Sequence, residues 1–310
     1  MAEPPLFRVK AANPVGFWLI ALAGLLSACS TATERIERRA ARMDLAPLLL
    51  EAEPFQLRAF FAAGAAPGAV LHVYLEGDGA QWRKYRVYNA KVQCTKENAG
   101  SCSKWSERYE LPQDPTPRMP VMLSLMERDN AARLYLGRPC YMGFATTPPC
   151  TPALWSVSRY SPTVVNAMAS ALARFLAQHS YQKIVWLGHS GGGTLAMLLA
   201  PRFPQTIAVV TLAGNLDVTA WATHHGFTPL TGSLDPARER PLPAHIVQRH
   251  YVGAKDKVIT AQLLADAVAA QPNAQLEVLP EVEHSLGWHR HWPAILSFLQ
   301  TLDVPHSGSH

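Results

Sequence analysis

The sequence predicts an α/β fold: a mostly parallel central sheet with helices on both faces. Two observations carry that expectation. Short apolar and β-branched runs recur along the chain and alternate with helical patterns, the order of βαβ units whose crossover helices cover a sheet. In addition, the apolar run from Lys183 stops at Gly188-His189-Ser190-Gly191-Gly192, and a helical pattern (Leu195, Met197, Leu198, Leu199) starts at once. Strand, tight glycine turn, helix is an arrangement that holds one side chain exposed at a strand end.

Taken in order, residues 1–28 stand apart from the fold. Arg8 and Lys10 precede a twelve-residue apolar stretch, Val15 to Leu26, that ends in Leu26-Ser27-Ala28-Cys29. Such a stretch is too short to span a bilayer and suits a cleaved signal peptide. The segment resembles a bacterial lipoprotein signal, which implies lipidation of Cys29 and a lipid anchor in the cell envelope. Ser30, rather than Asp, after the Cys implies the outer membrane, facing the periplasm. An ordinary cleavage site with a chance Cys is the alternative.

Residues 29–50 read as a tether and lead-in helix, with Arg35, Arg38, Arg39 and Arg42 mixed among Glu34 and Glu37. A single domain is expected over 51–304, with a tail at 305–310. It opens with strands Pro54–Phe61 and Ala69–Glu76, joined by Gly64-Ala65-Ala66-Pro67-Gly68 and expected to form an antiparallel hairpin. Cys/Pro-rich loops follow at 77–118 and 138–160, and loops this long inside a compact domain tend to be functional. Between them lie a helix (Pro120–Arg128) and a strand (Ala131–Gly137). Ser161-Pro162 reads as an N-cap with Pro in the first turn. Strands Thr206–Ala213, His245–Gly253 and Gln275–Leu279, with helices Ala261–Ala270 and Pro293–Leu302, complete the pattern.

The formal charge is +5 with no long basic block, and no motif supports nucleic-acid binding. Four cysteines remain beyond Cys29. In an exported chain an even number suggests disulfides, and Cys94–Cys102 with Cys140–Cys150 is the simplest of three pairings. Zinc is the competing reading, but neither the Cys-X₂-Cys spacing nor a His among them is present. No metal and no cofactor are expected.

The chemistry is expected at Ser190. A serine hydroxyl is a weak nucleophile and needs a base, which itself needs an orienting acid. Asp256 follows strand His245–Gly253, and His284 follows strand Gln275–Leu279, so all three leave C-terminal strand ends, where open α/β sheets gather their sites. Asp217 is an alternative acid, and Asp256 could instead cap the next helix. His189, inside the turn, is expected to point away from Ser190. A structural glycine turn is the alternative to a nucleophile elbow; the Walker pattern fails because no Lys follows the glycines. Gly188 and Gly192 are required by crowding at the turn. The N–H of Gly191 and those of Asp78 and Gly79, after strand Ala69–Glu76, are the expected donors to an oxyanion. Asp78 would repel an anion unless paired, with Arg138 as the candidate partner. Trp82, Trp105, Trp155, Trp221 and Trp288 fall in or beside the site loops, where aromatic residues could line an acyl pocket.

These residues and their order resemble the α/β-hydrolase superfamily. More narrowly, Glu76-Gly77-Asp78-Gly79, Asp114-Pro115-Thr116-Pro117-Arg118, Arg138-Pro139-Cys140 and Ala213-Gly214-Asn215-Leu216-Asp217 are similar to stretches of proteobacterial α/β-hydrolase lipoproteins. The resemblance implies an α/β-hydrolase fold, a serine hydrolase with a Ser-His-Asp triad, and a small ester or acyl substrate. A thioesterase, acyltransferase or peptidase on the same triad is an alternative, as is an envelope lipoprotein that uses the scaffold only for binding.

Overall fold

The computed structural model describes residues 30–64, 70–80, 83–88, 92, 103, 105–110 and 112–303. Eight strands form one sheet: β1 (Ala46–Ala52), β2 (Phe55–Ala62), β3 (Val70–Leu75), β6 (Ala132–Leu136), β7 (Lys183–His189), β8 (Thr206–Leu212), β9 (Val247–Gly253) and β10 (Ala274–Leu279). Their spatial order is β1-β2-β6-β3-β7-β8-β9-β10. From β6 to β10 every neighbouring pair is parallel; β1–β2 and β2–β6 are antiparallel.

Side-chain pattern explains the order. β3 is buried at every position, and β7 and β8 at all but one. Strands covered on both faces belong at the centre of a parallel sheet. β1 and β10 keep several exposed positions and form the edges. The helices that cover the sheet are α1 (Ala32–Arg42), α2 (Val121–Met126), α3 (Pro162–Gln178), α4 (Gly191–Leu199), α5 (Val218–His224), α6 (Ala261–Ala269) and α7 (Trp288–Asp303). Ser161 caps α3 through the Val164 N–H (3.4 Å), with Pro162 in its first turn. Thr260 caps α6.

The lead-in helix expected within 29–50 is present as α1. Ile36 and Ala40 of α1 are fully buried, and β1 already enters the sheet at Ala46. The expected hairpin of 54–61 with 69–76 does not form. β2 pairs with β1 and β6, and β6 separates it from β3, because β3, buried at every position, is satisfied only between two covered neighbours. Finally, the loop 77–118 contains a two-stranded antiparallel ribbon, β4 (Arg83–Tyr88) with β5 (Trp105–Glu110). Helix α7 also starts earlier than Pro293.

Candidate active site

β7 runs into Ser190, whose backbone is held at φ 51° and ψ −123°, a left-handed conformation that costs a residue with a side chain on the order of 1–3 kcal/mol. The geometry is enforced by close packing. A Cβ on Gly192 would lie 2.1 Å from the Leu75 carbonyl oxygen of β3, and one on Gly188 2.4 Å from the Gly192 oxygen. The turn therefore accepts only glycine at both positions, as expected. The Ser190 carbonyl accepts from Gly193 and Asn215, which pins the turn to the start of α4 and to the loop after β8.

Asp256 follows β9 and is buried. Its Oδ1 accepts the N–H groups of Val258 (2.7 Å) and Ile259 (2.9 Å), and its Oδ2 lies 2.9 Å from His284 Nδ1. With Nδ1 donating to that carboxylate, Nε2 is the acceptor, 3.0 Å from Ser190 Oγ. The three candidate side chains thus meet, although 94 residues separate Ser190 from His284. Asp217 does something else. Its Oδ1 accepts from Ala220 N–H at 2.7 Å and caps α5.

The His284 backbone is gripped as firmly as its ring. Its carbonyl accepts from His189 Nε2 (2.7 Å) and Trp288 Nε1 (3.0 Å). His189 therefore supports the His284 segment through that carbonyl. Burial, then the neighbouring His284, pushes its pKa down to about 4, so it is a neutral donor at neutral pH.

The segment after β3 is clamped from several directions. Glu76 is buried, and its carboxylate accepts N–H groups from Gly77 (3.1 Å), Val121 (3.2 Å), Met122 (2.9 Å) and Leu123 (3.4 Å). It caps the start of α2. Burial pushes its carboxyl up to about 7 against the pull of those N–H groups and of Arg138. Ala80 N–H donates to the Pro115 carbonyl (3.0 Å), so both ends of Asp78–Gly79 are fixed.

Asp78 sits directly over Gly191: a Cβ there would fall 1.9 Å from its Oδ1. Its carboxylate is bound by Arg138 Nη1 (2.7 Å), Arg159 Nη1 (3.0 Å) and the Tyr160 hydroxyl (2.5 Å). Its carbonyl accepts from the Tyr141 hydroxyl (2.9 Å). Burial raises the Asp78 pKa, but the two arginines and Tyr160 outweigh it and hold the group below the usual carboxylate range. The Arg138 pairing follows the sequence expectation. The contacts of Arg159, Tyr141, Tyr160 and Trp288 and the capping role of Glu76 carry no signal in the sequence. Arg138 and Tyr141 flank Cys140, which is bonded to Cys150. The pair Cys94–Cys102, Cys29 and Trp82 lie outside the described residues.

Ser190, His284, Asp78 and Gly79 open onto a cleft of about 360 Å³, walled in part by Trp221, Val258 and Met119. Trp155 and Trp288 are packed in the core, and Trp105 is exposed on β5. Among the described residues, no group of three or more His, Cys, Asp or Glu side chains is placed to hold a metal ion.

Sheet order and elbow together define the α/β-hydrolase fold. A model of that fold family matches residues 129–238, from the loop before β6 to beyond α5. No curated protein matches the chain. Among solved structures, an esterase from Pyrococcus furiosus is similar with a TM-score of 0.54 and 10% identity, over 83% of this chain and 90% of that one. An esterase/lipase from an uncultured bacterium gives 0.53 and 13%, over 89% and 92%. A membrane phospholipase A described as a bacterial virulence factor gives 0.53 and 13%, over 93% and 97%. Identities this low establish likeness of fold. The chain has the α/β-hydrolase fold.

Proposed function

We propose that this protein is a serine hydrolase that cleaves a carboxylic ester through an acyl-enzyme, with Ser190 as nucleophile, His284 as base and Asp256 as orienting acid. The observation that carries the reading is the His284 imidazole, bonded to Ser190 Oγ on one nitrogen and to the buried Asp256 carboxylate on the other. His284 takes the Ser190 proton as the oxygen attacks the ester carbonyl, then delivers it to the leaving alcohol. Asp256 keeps Nδ1 protonated and stabilises the imidazolium. The N–H of Gly191, at the start of α4 and without an intrahelical acceptor, acts with the Asp78–Gly79 backbone on the oxyanion. Water activated by His284 then releases the acid.

The charge of Asp78 is compatible with this role because two buried guanidiniums neutralise it. The P. furiosus esterase and the esterase/lipase share the fold, which adds weight to an ester substrate. A lipid anchor at Cys29 belongs to the same reading and is tested by the mass of the mature N-terminus. Turnover of 4-nitrophenyl acetate and butyrate, beside a matched thioester, tests the activity: hydrolysis abolished by Ser190→Ala is expected, and hydrolysis unaffected by it overturns the assignment.

A further inference from the structure

The cleft at Ser190 is one lobe of a longer groove. A second cavity of about 660 Å³ abuts it, and Arg118, Met119 and Ser285 line both. Ligand sites commonly enclose roughly 300–1,000 Å³, so a short ester fills the first lobe and leaves the second empty.

The position of the second lobe decides which part of a substrate reaches it. Its wall is built from the segment around His284 and the start of α7: Glu283, Ser285, Leu286 and Trp288 through Arg290. In the proposed reaction the leaving oxygen must come within reach of His284 Nε2 to receive its proton. The alcohol portion therefore lies beside His284, whose neighbours Glu283 and Ser285 line the second lobe.

The charges of that lobe are unequal. Lys255 is tied to Glu281 (2.5 Å) and Arg39 to Glu127 (2.9 Å). Arg118 makes no ion pair among the described residues. Arg290 makes no direct ion pair among them, although its charge, after that of Lys255, helps hold the Glu281 carboxyl down, and Glu283 is the acid of the wall outside any such pair. The lining as a whole carries Arg39, Arg118, Lys255 and Arg290 against Glu281 and Glu283, an excess of cations. Apolar Met119 and Leu286, both well exposed, line the same cavity.

We propose that the second cavity is a leaving-group subsite for an ester whose alcohol carries an anionic group, with Arg118 at the junction of the lobes and Arg290 on the far wall as its receptors. This rests on the ester-hydrolase reading and adds the substrate class.

The test uses the butyrate esters of 3-(4-hydroxyphenyl)propanoic acid and of its amide. They release similar phenols and differ by one charge. For partly exposed charge pairs the preference expected is about fivefold in kcat/KM for the acid at low salt, expressed in KM and reduced by added salt. Arg118→Gln with Arg290→Gln brings the ratio towards one, with folding checked by circular dichroism. A matching phosphonate ester shows whether carboxylate or phosphate geometry is preferred. A wild-type ratio at or below one, or a ratio unchanged in the double variant, overturns the subsite. If wild-type protein hydrolyses none of these esters, the ester-hydrolase reading fails by itself. The subsite is then decided by calorimetric binding of the acid and amide esters to wild-type and double-variant protein. Tighter binding of the acid that the double variant loses supports the subsite, and equal binding of the two esters overturns it.

Discussion

Asp256 and Asp217 illustrate two roles open to a carboxylate just past a strand end. Asp256 gives one oxygen to two backbone N–H groups and the other to His284; Asp217 caps a helix. Asp256→Asn is expected to lower kcat by on the order of 10²- to 10⁴-fold, because the amide no longer fixes the imidazole tautomer. Asp217→Asn keeps its capping oxygen and leaves kcat near the wild-type value. Asp217→Ala costs roughly 1 kcal/mol of stability, read as a shift in the urea midpoint. Glu76 invites a similar experiment. Each of its carboxylate oxygens receives two N–H groups, so Glu76→Gln turns an amide NH₂ onto donors. A loss of roughly 1–3 kcal/mol is expected.

The candidate site was legible at this scale where the signal was local. Ser190, Asp256 and His284 each lie within a few residues of the end of a strand pattern, and the glycines around Ser190 report crowding that only a tight turn creates. The clamp on Asp78 was mostly hidden. Its ligands Arg138, Arg159 and Tyr160 lie 60, 81 and 82 residues away, inside a loop whose path no periodicity describes.

At the scale of elements, the elbow and the disulfide loop are the rigid parts. Gly192→Ala would drive a methyl group into the Leu75 carbonyl of β3. Relief requires β3 and the turn to separate, at a cost of about 1–3 kcal/mol and with Ser190 displaced from His284; activity is expected to collapse before the thermal transition does. Cys140 and Cys150 close a loop with a sequence separation of 10. A loop of that size restricts the unfolded chain by about 2–3 kcal/mol, so Cys140→Ala with Cys150→Ala is expected to lower Tm by several degrees, measured by calorimetry. The central strands were legible because their continuous apolar runs suit both-faces burial. The first hairpin was not: a glycine-proline turn between two strands reads the same whether they pair or are parted by β6, and only long-range burial decides between the two.

For the molecule as a whole, two buried histidines set the acid limit of stability. Burial pushes His189 down to about 4 and His250 to about 3, with Arg249 adding to the latter. Unfolded, both take up a proton near pH 6.5, whereas folded they stay neutral until far lower pH. Between pH 6.5 and about 4 the unfolded state therefore binds more protons at these two groups, which lowers stability as pH falls by up to about 1.4 kcal/mol per pH unit for each. Glu76, raised by burial to about 7 in the fold, opposes one of them, so the net slope is about that of a single group. Urea midpoints across that window are expected to decline, and His250→Asn is expected to flatten the slope. An unchanged slope in the variant contradicts the assignment.

The sheet brings residues 190, 256 and 284 to one rim, and the account depends on that convergence having chemical consequences. Reaction with a fluorophosphonate probe, followed by peptide mass spectrometry, tests it most directly. The expected result is a single adduct on Ser190, absent in Ser190→Ala and slowed by about 100-fold or more in His284→Ala. An adduct on another residue, or equal labelling of wild-type and Ser190→Ala protein, would contradict it.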